Sequence, residues 1–154
     1  MICSKIEFHY ITVLDTELLF QWQSNPKTRH YFRDPKAPTV EEHTHWLQQK
    51  LTDKNCVLLL AYDKGIPIGC LRFDFSNVEA EISIYVAPDL YGQGYGSRII
   101  SEGIEWIQMH HQQITTLKAI VLEENKPSIN IFTKNEFIQS ETKINNCLVL
   151  IRQC

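Results

Sequence analysis

Glu79 and Glu81 stand two residues apart at the start of an apolar run, Ala80-Glu81-Ile82-Ser83-Ile84-Tyr85-Val86. On a strand that spacing places both carboxylates on one face, where either could move a proton. The run continues into Pro88-Asp89-Leu90-Tyr91-Gly92-Gln93-Gly94-Tyr95-Gly96-Ser97, with glycine at every second position, and then into an amphipathic helix. Such a loop exposes backbone N–H groups at a helix N-terminus, where amide donors and the helix dipole together bind phosphate oxygens. Glycine allows close approach and positive φ at little cost. Farther on, Asn125, Ser128 and Phe132 fall at spacings of three and four, along one helical stripe. The chemistry implied is the holding of a phosphorylated ligand beside a proton-accepting carboxylate.

Three kinds of glycine loop could do this. A P-loop is excluded, because no Gly-Lys-Ser/Thr follows to reach terminal phosphates. A dinucleotide loop fits poorly, since Ser97 stands where G-x-G-x-x-G wants its third glycine, although Glu123 could hold a ribose. The third kind depends on the elements around the loop.

Those elements can be read from periodicity and caps. Residues 4–14 form a β-branched-rich strand, and Asp15 caps a helix that ends before Pro26. Residues 27–38 are irregular, and Thr39 with Glu42 makes a capping box for a helix to about Leu51. Strands follow at 56–63, 66–75 and 79–87, joined by a Lys64-Gly65 turn and a hairpin near Asn77. A helix from about Gly94 to Met109 carries Ile100, Ile104 and Ile107 on one stripe. A strand at 115–122, a helix at 126–135 and strands near 137–142 and 146–152 complete the chain. The short connections between 56 and 87 force antiparallel pairing, because a parallel return needs a crossover of a dozen or more residues. The expected fold class is therefore α/β, a mixed and mostly antiparallel sheet with helices on its faces, not a doubly wound one.

Composition agrees with one globular domain spanning 1–154. Of 154 residues, 44% are apolar and 21% charged, and the net charge of −3 argues against nucleic-acid or membrane-surface partners. Five cysteines without C-x-x-C spacing fit reduced thiols. No apolar run approaches membrane length, and Met1-Ile2-Cys3-Ser4-Lys5 shows no leader pattern, so a cytoplasmic location is expected. His43 and His45 point to different helix faces, and no metal is expected.

The strand–loop–helix at 80–107, with Asn125-x-x-Ser128-x-x-x-Phe132-x-Lys134-x-x-Phe137, resembles the GNAT superfamily of acetyl-CoA-dependent N-acetyltransferases. The resemblance covers essentially the whole chain. It implies a twisted, mostly antiparallel sheet of about seven strands with four helices, and acetyl-CoA as cofactor. The coenzyme A pyrophosphate would lie on the amides of Tyr91, Gly92, Gln93, Gly94, Tyr95, Gly96 and Ser97. Ile84, Tyr85 and Val86 would splay from the neighbouring strand to bond the pantetheine arm, with an amide near Val86 polarising the thioester carbonyl. Asn125, Ser128, Phe132 and Lys134 would complete the cofactor side. Glu81 sits where many members carry a catalytic glutamate, and Glu79 shares its face.

Three positions depart from the family pattern. Tyr91 replaces the arginine or glutamine that usually opens the loop. Phe132 stands where a general-acid tyrosine is usual, leaving Ser128, Tyr85 or water to protonate the departing thiolate. Replacing Phe132 with tyrosine is expected to match or raise turnover if that proton limits the rate. Glu136 replaces the glycine of a G-F pair, and Asn135 is expected to take over its left-handed conformation.

The acceptor is a small-molecule amine on this reading. Lys27-Thr28-Arg29-His30-Tyr31-Phe32-Arg33-Asp34-Pro35-Lys36 mixes cations and aromatics where the superfamily shapes its acceptor pocket. Guanidinium groups suit phosphate and aromatics suit sugars or bases, so Arg29 and His30 are substrate candidates, with His43 and Glu79. Thr39-x-Glu41-Glu42-His43-x-x-Trp46-Leu47 is similar to the E-E-H-x-x-W-type helix of nucleotide-sugar N-acetyltransferases, including those of pseudaminic-acid-type pathways. Alternatives are a protein N-terminal acetyltransferase, suggested by Tyr91, and a non-catalytic acyl-CoA-binding domain. A monomer or a homodimer fits equally.

Overall fold

The computed structural model describes residues 3–154, so Met1 and Ile2, part of the leader reading, lie outside the described residues. One seven-stranded sheet runs β1-β2-β3-β4-β5-β7-β6. In chain order its elements are β1 (Glu7–Tyr10), α1 (Thr16–Ser24), α2 (Pro26–Arg29), α3 (Val40–Thr52), β2 (Cys56–Asp63) and β3 (Ile66–Ser76). There follow β4 (Glu79–Val86), α4 (Tyr95–His110), β5 (Thr116–Leu122), α5 (Lys126–Lys134), β6 (Ile138–Ile144) and β7 (Cys147–Gln153). Every pairing is antiparallel except β4 with β5. The mixed, mostly antiparallel architecture with four long helices is therefore present, with the single turn α2 added.

Alternation along the strands divides the core into two layers. Leu59, Leu71, Phe73, Ala80 and Ile82 face α4, whose Ile99, Ile100, Ile104 and Ile107 are buried against them. Leu58, Leu60 and Cys70 point the other way, onto Leu19 and Trp22 of α1 and Leu47 of α3. Glu81, Ser83 and Tyr85 share this second face by the period-two rule. Charged residues on β4 thus emerge on the side covered by α1 and α3.

Four local readings need correction. The strand expected over 4–14 is only Glu7–Tyr10, because Thr12 and Asp15 close a capping box around a 3-10 turn at Val13–Asp15. Asp15 accordingly bonds the Thr12 N–H (2.9 Å) and gives α1 no side-chain cap. Residues 27–38 are not wholly irregular, since Asn25 caps the one-turn α2 through the Lys27 N–H at 2.9 Å. Glu136 itself takes the left-handed conformation (φ +67), whereas Asn135 stays at φ −98 and donates its amide to the Ile131 carbonyl.

Candidate active site

The phosphate loop is built by two left-handed glycines. Gly92 and Gly94 have φ of +79 and +83, and Gly94 is the N-cap of α4 without any side-chain cap bond. The N–H groups of Tyr95, Gly96 and Ser97, in the first turn, have no acceptor four residues back. Gly96 also admits α5, because a Cβ there would stand 2.8 Å from Ile131 Cδ1. The 16-residue helix behind adds its dipole to these donors. The loop therefore suits an anionic diphosphate, with free first-turn amides and no acidic side chain in the helix's first turn.

Behind the loop, one acidic group ties the helix start to the sheet. Asp63, at the end of β2, accepts from the Tyr95 hydroxyl (3.1 Å) and from Ser4, and pairs with Arg98 at 3.5 Å. The Ser4 hydrogen bond, followed by those of Tyr95 and Arg98, holds its carboxyl below the ordinary carboxylate range. Arg98, one turn into α4, is thereby tied to Asp63 and to the Ser4 carbonyl.

Beside the loop the sheet opens. β4 and β5 pair only from Glu79↔Thr116 to Glu81↔Lys118, although β4 continues to Val86 and β5 to Leu122. β4 remains registered with β3 as far as Val86, and β5 with β7 as far as Leu122, so the two halves diverge. The Ala87 N–H bonds the Ile68 carbonyl at 2.8 Å. By the alternation of an antiparallel ladder, the peptide groups of Ser83 and Tyr85 also face β3. Those of Ile84 and Val86 face the opening, where a pantetheine arm with its own amides could pair with them.

On the α1–α3 face, Glu81 lies beside a charged network. Its Oε1 is 3.7 Å from Arg33 Nη2, and its cross-strand partner is Asp74. Asp74 pairs with Lys50 (2.9 Å) and Arg72 (2.7 Å). Burial pushes the Asp74 carboxyl up, but these two cations outweigh it and hold it below the usual range. Arg72 also donates to the Ser83 hydroxyl (3.2 Å) and lies 5.9 Å over Trp46. The Tyr85 hydroxyl is buried without a hydrogen-bond partner, and burial holds it well above its ordinary pKa.

The remaining expected residues are dispersed. Arg29 is occupied within its own segment, donating to the Asp34 and Lys36 carbonyls at 2.6 and 2.7 Å. His30 is exposed and packs edge-on to Tyr31, and Glu79 is exposed at the hairpin end of β4. His43, expected to meet the acceptor, is only 1% exposed, enclosed between Phe20 and Trp46, and offers no open surface. Asn125 caps α5 through the Ser128 N–H (3.2 Å), and Ser128 is half-buried in the first turn of that helix. Phe132 is 3% exposed and packs on Phe137 at 5.0 Å, whereas Lys134 is exposed at the far end of α5. Arg33, Arg72, Asp74 and Lys50 join this face only through the folded chain. The signal for two of them was visible, since Arg72 and Asp74 are the charged positions of an otherwise apolar β3.

Comparison with known proteins gives a consistent picture. The family model described as an acetyltransferase (GNAT) domain matches residues 5–138. The chain is 26% identical over 124 residues to "Acetyltransferase PseH" of Campylobacter jejuni subsp. jejuni serotype O:23/36 (strain 81-176), covering 80% of this chain and 76% of that protein. A domain from Methanocaldococcus jannaschii superimposes with a TM-score of 0.84 at 25% identity, over 98% of this chain and 99% of that one. AAC(6')-Ib in complex with ribostamycin and coenzyme A shares the fold, with a TM-score of 0.85 at 15% identity over 97% and 94% of the two chains. With a bare-amide loop at a helix N-terminus, a sheet that opens beside it and a family match across most of its length, the chain belongs to the GNAT family of acetyl-CoA-dependent N-acetyltransferases.

Proposed function

We propose that the acceptor is the primary amine of a nucleotide-linked amino sugar, and that Glu81 receives its proton, directly or through water. The observation that carries this reading is the 3.7 Å contact between Arg33 and Glu81. It brings the cation- and aromatic-rich segment, suited to phosphate and sugar, onto the carboxylate suited to an amine. The resemblance of Thr39–Leu47 to nucleotide-sugar N-acetyltransferases supports it, as does the aromatic and basic surface of Trp46, Arg72 and Lys50.

Acetyl-CoA supplies an activated carbonyl: the amine nitrogen bonds to the acetyl carbon, the carbon–sulfur bond breaks, and coenzyme A leaves as thiolate. The chain's own groups do the rest. The amides of Gly94 to Ser97 grip the diphosphate, and the peptide groups of Ile84 and Val86 align the arm. The Val86 N–H stabilises the developing oxyanion. Glu81 draws the proton from the acceptor nitrogen, which must be neutral to attack. Phe132 has no hydroxyl to give the thiolate. The Tyr85 hydroxyl is buried and held well above its ordinary pKa, so Ser128 or water supplies that proton; an alkyl thiol with a pKa of roughly 8.5 is a tolerable leaving group in any case.

An acceptor panel tests the assignment, with thiol release from acetyl-CoA as the readout. UDP-linked amino sugars should exceed free amino sugars and N-terminal peptides by at least about tenfold in kcat/KM, the difference of one or two charge-assisted hydrogen bonds. Preference for the peptides would transfer the assignment to protein N-termini.

A further inference from the structure

The segment between α1 and α3 touches both halves of the site. At its start, Thr28 is 2% exposed and accepts a hydrogen bond from the Tyr91 hydroxyl at 3.3 Å. Tyr91 immediately precedes Gly92, where the chain turns into the phosphate loop. At the other end, Arg33 reaches Glu81. In between, Arg29 lies 4.4 Å over the Phe32 ring and pins the carbonyls of Asp34 and Lys36, and Phe32 meets Tyr85 at 6.2 Å.

The segment has little to hold it by itself. α2 contains four residues, far fewer than sustain a helix in water. The residues after it are mostly exposed, and such segments open at low free energy. Its anchors are therefore the Asn25 cap, Thr28 and the two aromatic and ionic contacts beyond. The Tyr91–Thr28 bond is long beside the usual 2.7–2.8 Å of a hydroxyl pair, which leaves room to shorten once Tyr91 is fixed.

We propose that residues 26–36 form a strap through which filling of the phosphate loop positions Arg33 against Glu81, with Thr28 as the positioning residue that transmits the effect. Coenzyme A immobilises Tyr91, Tyr91 holds α2 through Thr28, and the clipped loop that follows carries Arg33 to the carboxylate. By linkage, a ligand seated beneath the strap tightens coenzyme A by the same factor that coenzyme A tightens the ligand. The consequence at Glu81 rests on the proton-accepting role proposed above, but the ordering itself does not.

Hydrogen exchange read by mass spectrometry, without and with saturating coenzyme A, tests the strap with no acceptor present. Coenzyme A should slow exchange at residues 84–98 and also at 29–36, the latter by about fivefold, the equivalent of one ordinary hydrogen bond. Thr28→Val, which keeps the shape and loses the hydroxyl, should abolish the slowing at 29–36 while retaining it at 84–98, and Thr28→Ser should restore it. Tyr91→Phe removes the same bond from the other side and should also abolish the slowing at 29–36. Slowing confined to 84–98 in the native protein, or retained at 29–36 in both Thr28→Val and Tyr91→Phe, would overturn the strap alone. No slowing at 84–98 in the native protein would overturn the cofactor loop and the strap with it.

Discussion

At the scale of single residues, the proposed chemistry rests on Glu81 and the groups that share its face. Glu81→Gln keeps the shape and removes the base, so turnover at neutral pH should fall by roughly 10²–10⁴-fold while coenzyme A affinity is unchanged. Unaltered turnover would remove Glu81 from the mechanism. Phe132→Tyr is a different matter in the folded protein from what the motif suggests. The ring is 3% exposed against Phe137, and an added hydroxyl would be buried in the main core cluster. An unpaired buried hydroxyl costs about 1–3 kcal/mol, so the variant should melt lower and turn over no faster. His43 belongs to the same lesson. Burial pushes its imidazole pKa down, and neither ring nitrogen has a hydrogen-bond partner. Because the unfolded chain takes up the proton more readily, the contribution of neutral His43 to stability is present above about pH 6.5 and is lost below it. The melting temperature should therefore fall between pH 7 and pH 5 by more in the native protein than in His43→Leu.

At the scale of elements, the decisive feature is a helix that starts without a side-chain cap. Gly94 supplies the left-handed N-cap (φ +83) and leaves the next three amides directed outward. Gly94→Ala forces an L side chain into that conformation, at a cost of roughly 1–2 kcal/mol, and disturbs those amides. Gly65, in the β2–β3 turn at φ +80, provides the control. Gly65→Ala should lower the melting temperature similarly but leave coenzyme A binding intact. Gly94→Ala should in addition weaken binding by about tenfold, because one or two charge-assisted amide bonds are lost. The glycine spacing of this loop and the capping box of α3 are visible in the sequence because both are local. The fate of Glu136 is less so: a glutamate at φ +67 is held there by the α5–β6 junction, with Arg152 meeting its carboxylate at 3.1 Å.

At the scale of the whole molecule, the proposed function depends on a sheet that is continuous at one end and open at the other. β4 and β5 belong to two antiparallel halves that share only the pairs from Glu79 to Glu81, and the opening begins at the catalytic candidate itself. The opening lies between the two core layers, next to the α4 N-terminus. A ligand that joins these surfaces should stabilise the whole domain. At about 100 times its dissociation constant, coenzyme A should add roughly 2.7 kcal/mol, read as a rise in melting temperature that scales with its concentration. No rise would mean that the opening does not receive it.

The glycine loop, the strand order of the central hairpins, the capping box of α3 and the two carboxylates of β4 were determined by the sequence, because each depends on neighbours within a few positions. Long-range placement was decided only by tertiary structure. Arg33 meets Glu81, Tyr91 meets Thr28 across 63 residues, and His43 and Phe132 are closed into the interior. Nothing in a contiguous stretch encodes which helix will lie over which strand, since that follows from how the apolar faces of separate elements pack together.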